Sequence, residues 1–231
     1  MSRISVVGLD GTPLIPEAEN LVREAALVVG GKRHLGELGV ESERSALLVG
    51  DLSKAMKKVE ETEGAVVVLA SGDPGFFGIV RLLGERFGRE SLRVLPGCSS
   101  IALAFARAGL HWDDAVVVSA HGREPRRAVN VCRARPKVAV LTAPGFGPAE
   151  LARDLEGWGR TLYVAEDFGG EGERFFGGDA ATVAEMEWRD PNVVIAVDEE
   201  RAKPRKGWIS SGIESPGRWL SPRKTSSTAP A

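Results

Sequence analysis

The sequence predicts an α/β fold in two halves, each built on a sheet with a parallel portion and flanked by helices. Two observations carry this. Apolar β-like segments alternate with helical segments from end to end, the pattern of sheets covered by crossover helices. In the first half, two such segments (65–70 and 92–95) each end in a small-residue loop that runs into a helix. The loops are Ser71-Gly72-Asp73-Pro74-Gly75 and Pro96-Gly97-Cys98-Ser99-Ser100. Loops of this kind at neighbouring strand ends line a crevice with backbone, the place where open α/β sheets bind ligands.

Ile4–Val7 reads as the opening strand, followed by Gly8-Leu9-Asp10-Gly11 and a helix from Pro16, a residue suited to a first helical turn. Short strands follow at Leu27–Val29 and Leu47–Val49, then a helix over Leu52–Val59. After the two strand–loop–helix units, Ile101–Leu110 interleaves Ala102, Ala104, Ala106 and Ala108, small residues that let a helix lie close to a sheet. The second half reads as strand Val116–Ser119, loop His121–Arg123, helix Arg127–Arg133, strand Val138–Leu141, helix Pro148–Trp158 and strand Thr161–Ala165. Then come a β-like Glu173–Phe176, a helix Ala180–Met186 and a last strand Asn192–Val197. The expected division is residues 1–112, 113–200, and a tail over 201–231. That tail holds seven basic residues and one acidic one among Pro, Ser and Gly. It reads as a flexible solvated extension, with a docking segment or linker stub as the alternative.

Composition narrows the function. With 231 residues and 43% hydrophobic content the chain can bury two cores. Thirty basic against 32 acidic residues give a net charge of −2, no footprint for nucleic acid or membrane. The only cysteines, Cys98 and Cys132, form neither a disulfide framework nor a CxxC spacing. His34, His111 and His121 are scattered without metal-ligand spacing, and no metal is expected. A strand begins at once, leaving no room for a signal peptide, and no apolar run reaches membrane-spanning length. The expected location is the cytoplasm. GxxxxGK[ST] is absent, and Gly8-Leu9-Asp10-Gly11 lacks the third spaced glycine of a dinucleotide fingerprint.

Each loop alone also reads as an ordinary turn or a serine-capped helix start. In order, however, the motifs resemble the tetrapyrrole methylase family, S-adenosylmethionine enzymes with two lobes that methylate corrin and sirohaem precursors. The matching segments are Val7–Gly11, Ala70–Gly78 and Pro96–Ser100. Val28–Leu35, Ala106–Asp114, Ser119–Arg123, Val140–Pro144 and Val164–Gly170 resemble the branch acting at C5 of precorrin-7 or cobalt-precorrin-7. The match runs from about Arg3 to Val197.

The resemblance implies a two-lobed fold and S-adenosylmethionine folded between the lobes. Its contacts would be Leu9, Gly72, Asp73, Phe76, Ser99 and Ser100 from the first lobe, and Leu141 and Thr142 from the second. A polycarboxylate macrocycle would meet Arg123, Lys32 and Arg33, with Arg123 suited to bidentate pairing. Methyl transfer would be a direct displacement governed by positioning. His121 and Glu166 are the expected catalytic groups for charge or proton handling; Asp73 is a further titratable candidate, read first as a cofactor group. The first loop lacks the Gly-x-Gly-Pro-Gly-Asp of many relatives, so Asp10 is not assigned to catalysis. Cys98 replaces an aliphatic residue and is read as a small buried filler. A homodimer is implied. The chain stops short of the unit that handles C15 in two-domain relatives, so C15 methylation and decarboxylation are expected of a separate enzyme. The alternatives are methylation at another tetrapyrrole carbon, a diphthine-synthase-like activity, or binding of S-adenosylmethionine or a corrinoid without turnover.

Overall fold

The computed structural model describes residues 3–48, 52–121, 124–168, 170 and 172–202. Arg123 and most of the basic tail lie outside the described residues.

The first half holds β1 (Ile4–Leu9), α1 (Pro16–Glu24), β2 (Leu27–Gly30), α2 (Lys32–Glu37), β3 (Ser45–Leu47), α3 (Leu52–Glu61), β4 (Val66–Ser71), α4 (Val80–Phe87), β5 (Leu92–Leu95) and α5 (Ser100–Ala108). Its five strands are all parallel, in the order β3-β2-β4-β1-β5. The run Val66–Leu69 is buried throughout because helices cover both sheet faces. Val66 and Val68 pack with Met56 and Leu83 on one face; Val67 and Leu69 pack with Val22 and Leu35 on the other. β4 stands between β2 and β1, and β5 flanks β1 on the far side. The loops after β4, β1 and β5 therefore meet where the strand order reverses.

The second half holds β6 (Val116–Ser119), α6 (Pro125–Ala134), β7 (Lys137–Leu141), α7 (Pro148–Asp154), β8 (Thr161–Glu166), β9 (Arg174–Asp179), α8 (Ala180–Glu185) and β10 (Asn192–Val197). The sheet order is β6-β7-β10-β8-β9, with only β6 and β7 parallel. The two mixed or parallel sheets with flanking helices are the α/β architecture read from the sequence.

The join between the halves is α5. Its Ile101, Ala104 and Phe105 are buried against Ala139 of β7, Ala165 of β8 and Val193, Ile195 and Val197 of β10. The alanine-rich helix thus packs close on the second sheet, while its first turn stays attached to the first sheet through the loop after β5. Ser99 caps it, accepting from Ala102 N (3.2 Å), and Gly109 ends it in the left-handed region (φ 66°).

Some boundaries differ from the sequence reading. The helix expected over Pro148–Trp158 stops at Asp154, and Gly157 and Gly159, both at positive φ, turn the chain. Of the strand expected at Leu47–Val49, Leu47 ends the strand Ser45–Leu47, and Val49 lies outside the described residues. Lys32–Glu37 is a helix in its own right.

Candidate active site

Three loops cross at three glycines. Gly72 N donates to Leu9 O (2.6 Å) and Gly97 N donates to Gly72 O (3.2 Å). A Cβ on Gly8 would collide with both Gly72 O and Gly97 N, and Gly72 sits at φ 62°. Only glycine lets the three backbones approach this closely. Asp10 ties the crossing further: its Oδ2 accepts from Cys98 N (2.8 Å) and its Oδ1 from Thr12 Oγ1 (2.6 Å). Partial burial works against the Asp10 carboxylate, but these donors outweigh it and hold its pKa below the ordinary value.

This crossing floors a cleft of about 340 Å³ between the two sheets, within the range of small-molecule sites. All eight residues expected to hold a cofactor line it: Leu9, Gly72, Asp73, Phe76, Ser99, Ser100, Leu141 and Thr142. Several of their side chains are already engaged, which leaves main chain to face a ligand. Asp73 Oδ1 accepts from Gly75 N (2.8 Å), closing its own loop. Ser99 is the α5 cap. The Thr142 hydroxyl turns inward to the Asn192 carbonyl (2.6 Å), with Asn192 Oδ1 at 2.7 Å. Asn192 Nδ2 donates to Arg189 O and Asp190 Oδ1, both at 3.0 Å. Asn192 also lines the cleft. The sequence reading missed it, although an asparagine heading the fully apolar run Val193–Val197 marks a polar strand end.

The other expected site residues divide. His121 is exposed and lines the cleft beside Ser119, whose Oγ accepts from His121 N (3.2 Å). Arg33 lines it from the opposite half and reaches across to Asp167 (3.2 Å), with Glu37 at 3.5 Å. Lys32 is exposed but does not line the cleft, because successive helix residues point about 100° apart.

Glu166 is also away from the cleft. Side chains alternate along a strand, so Ala165 faces the cleft and Glu166 the opposite side. There it is fully buried, paired with Arg174, and accepts from Arg189 N. The expectation of a catalytic Glu166 is corrected to a structural ion pair. Cys98 is likewise corrected: it is exposed in the cleft, not a buried filler. Partial burial and the neighbouring Asp10 carboxylate raise its thiol pKa, so it is a poor nucleophile near neutrality.

His34, also outside the earlier cofactor assignments, supports the loop after β4 from below. It is 7% exposed, and its Nε2 lies 3.2 Å from Ser71 Oγ. Burial pushes its pKa below 6.5, Arg33 adds to this and Glu37 opposes it. A depressed histidine pKa means the unfolded chain takes up the proton first as pH falls. Stability is therefore expected to be full above about pH 6.5 and to decline below it. Thermal melts of His34→Gln should lose that part of the decline.

Comparison with known proteins agrees with this architecture. The family model for Tetrapyrrole (Corrin/Porphyrin) Methylases matches residues 7–186. The chain belongs to that family. It is 39% identical over 180 residues to a precorrin-6Y C(5,15)-methyltransferase [decarboxylating] of Sinorhizobium, covering 73% of this chain but 42% of that protein. It is 32% identical over 206 residues to the cobalt-precorrin-7 C(5)-methyltransferase of Salmonella typhimurium, covering 85% of this chain and 99% of that one. Among solved structures, a precorrin-6Y methylase of Archaeoglobus fulgidus superposes with a TM-score of 0.63 at 24% identity, covering 86% and 98% of the two chains. A Thermus thermophilus uroporphyrin-III C-methyltransferase complexed with S-adenosylhomocysteine superposes with the same TM-score at 23% identity, covering 86% and 93%.

Proposed function

We propose that this protein is an S-adenosylmethionine-dependent methyltransferase acting at ring carbon C5 of precorrin-7 or cobalt-precorrin-7 in cobalamin biosynthesis. The observation that carries the reading is the glycine crossing of Gly8, Gly72 and Gly97 beneath one cleft that gathers all eight expected cofactor contacts. A relative of nearly full matching length, the Salmonella C5 enzyme, supports the choice of carbon.

The donor set suits S-adenosylmethionine. Leu9, Phe76 and Leu141 offer apolar surface for the adenine, and the main chain of Gly72, Ser99 and Ser100 offers polar partners. When bound, the cofactor supplies an electrophilic methyl on a sulfonium centre. The chain's own part is to orient the two reactants and exclude water, which accounts for much of the rate in such displacements. Arg33, with Arg123, meets the carboxylates of the macrocycle. Of the ionisable residues that line the cleft, His121 is the one that holds or moves a proton in this reading. The enzyme works as a homodimer in the cytoplasm. Among the described residues no helix is long and apolar enough to cross a membrane.

Isothermal titration with S-adenosylhomocysteine tests the cofactor assignment. Wild type should bind, and Asp73→Ala should weaken binding about tenfold, or about 1.4 kcal/mol, because the Asp73–Gly75 closure of the loop is lost. A folded wild type that fails to bind would refute the methyltransferase reading.

A further inference from the structure

The loop after β4 holds an aromatic residue where backbone energetics favour glycine. Phe77 has φ 55°, in the left-handed region that side chains rarely enter. The loop around it is tight: a Cβ on Gly78 would collide with Pro74 O. Phe77 is nevertheless 52% exposed, a large apolar ring left in water on the wall of the cleft. Strain together with exposed apolar surface is unfavourable for the free protein, and such combinations persist where a ligand uses them.

Three phenylalanines line the cleft among the described residues, and they are not equivalent. Phe76 packs into the core around α5 and meets Phe77 edge-on, centroids 5.0 Å apart at 83°. Phe168 is stacked parallel to Phe175 at 6.5 Å, and the Arg107 guanidinium lies over its ring at 5.8 Å. Phe77 is the most exposed of the three. With this neighbour in place, Phe77 still leaves about half of its surface open to the cleft and solvent.

We infer that Phe77 is a substrate-specificity residue, whose ring supplies the stacking surface for a conjugated segment of the macrocycle while cations at the cleft take its carboxylates. This rests on the tetrapyrrole reading above and adds a contact for the ring itself. An aromatic face suits a delocalised planar ligand by offset stacking. It would contribute little to a cofactor held mainly by main chain.

The test uses full-length Phe77→Gly and Phe77→Ala, with S-adenosylhomocysteine and uroporphyrin as probes. Glycine relieves the backbone strain and alanine keeps it, so a purely structural ring and a ligand-binding ring give different patterns. The expected result is a melting temperature for Phe77→Gly equal to or above wild type. S-adenosylhomocysteine affinity should stay within twofold, while porphyrin affinity, read by fluorescence quenching, falls at least tenfold in both variants. A lowered melting temperature in Phe77→Gly with unchanged porphyrin binding overturns the inference and makes the ring structural. A tenfold loss of S-adenosylhomocysteine affinity with porphyrin binding intact reassigns it to the cofactor and also overturns it. Wild type that binds S-adenosylhomocysteine but no porphyrin overturns this inference alone; wild type that binds neither removes the underlying reading as well.

Discussion

Gly8→Ala is expected to lower S-adenosylhomocysteine affinity by about a hundredfold and to destabilise the protein by roughly 2–3 kcal/mol. The added methyl has nowhere to go. It meets the Gly72 carbonyl oxygen on one side and the Gly97 amide nitrogen on the other, both backbone atoms that no rotamer change can move aside. Relief requires separating β1 from the loops of β4 and β5. That breaks the bonds from Gly72 N to Leu9 O and from Gly97 N to Gly72 O. All the first-half residues proposed to contact the cofactor sit on or beside these three loops, and a shift of about 1 Å in a positioned site is enough for a loss of this order. Titration calorimetry beside a thermal melt reads both effects. Near wild-type affinity would mean that the crossing does not organise the cleft.

Arg174→Met is expected to destabilise by about 2–3 kcal/mol, a fall in melting temperature of roughly 5–10 °C, with activity per folded molecule close to wild type. Glu166 is fully buried, and Arg174 is its charged partner. Removing the arginine leaves a carboxylate in the interior with Arg189 N as its remaining donor among the described residues. The figure sits at or below the low end of the range for broken buried pairs because Arg174 is itself 39% exposed, its guanidinium lying 4.6 Å over the Trp188 ring. Glu166→Gln separates structure from catalysis. As a spacer within the fold, Glu166 should tolerate the change with kcat per folded enzyme within about threefold. A general base would lose about a hundredfold or more. A large kcat loss in folded Glu166→Gln would restore the catalytic role that the geometry denies.

The contrast between Glu166 and the glycine loops explains what the sequence could reveal. The first half announces itself because a parallel sheet needs continuous apolar runs such as Val66–Leu69, and its ligand loops need glycine at fixed places. Both constraints are local, and both leave residue-type signatures. The second half contributes to the cleft through side chains whose direction is set by strand pairing in a mostly antiparallel sheet. A one-residue difference separates Ala165, in the cleft, from Glu166, behind it, and no local pattern distinguishes them. The same holds for Arg33 and Lys32, neighbours on α2 of which one reaches the cleft. Asn192, heading β10, and Thr142, just past β7, form a buried pair 50 residues apart in sequence, visible only once β7 and β10 are side by side. The packing of α5 on the second sheet was hinted at by its alanines, which indicated close helix–sheet packing but not which sheet.

Methyl transfer itself decides whether the protein is a C5-methyltransferase. The protein would be incubated with cobalt-precorrin-7, prepared with and without the metal, and S-adenosylmethionine carrying a carbon-13 methyl group. Methylation at C5 gives a labelled product one methyl heavier, a carbon-13 resonance assigned to a methyl on C5, and one equivalent of S-adenosylhomocysteine. Label at another ring carbon would contradict the C5 assignment. No transfer by a protein that binds S-adenosylhomocysteine would contradict the enzymatic reading and leave a binding protein in its place.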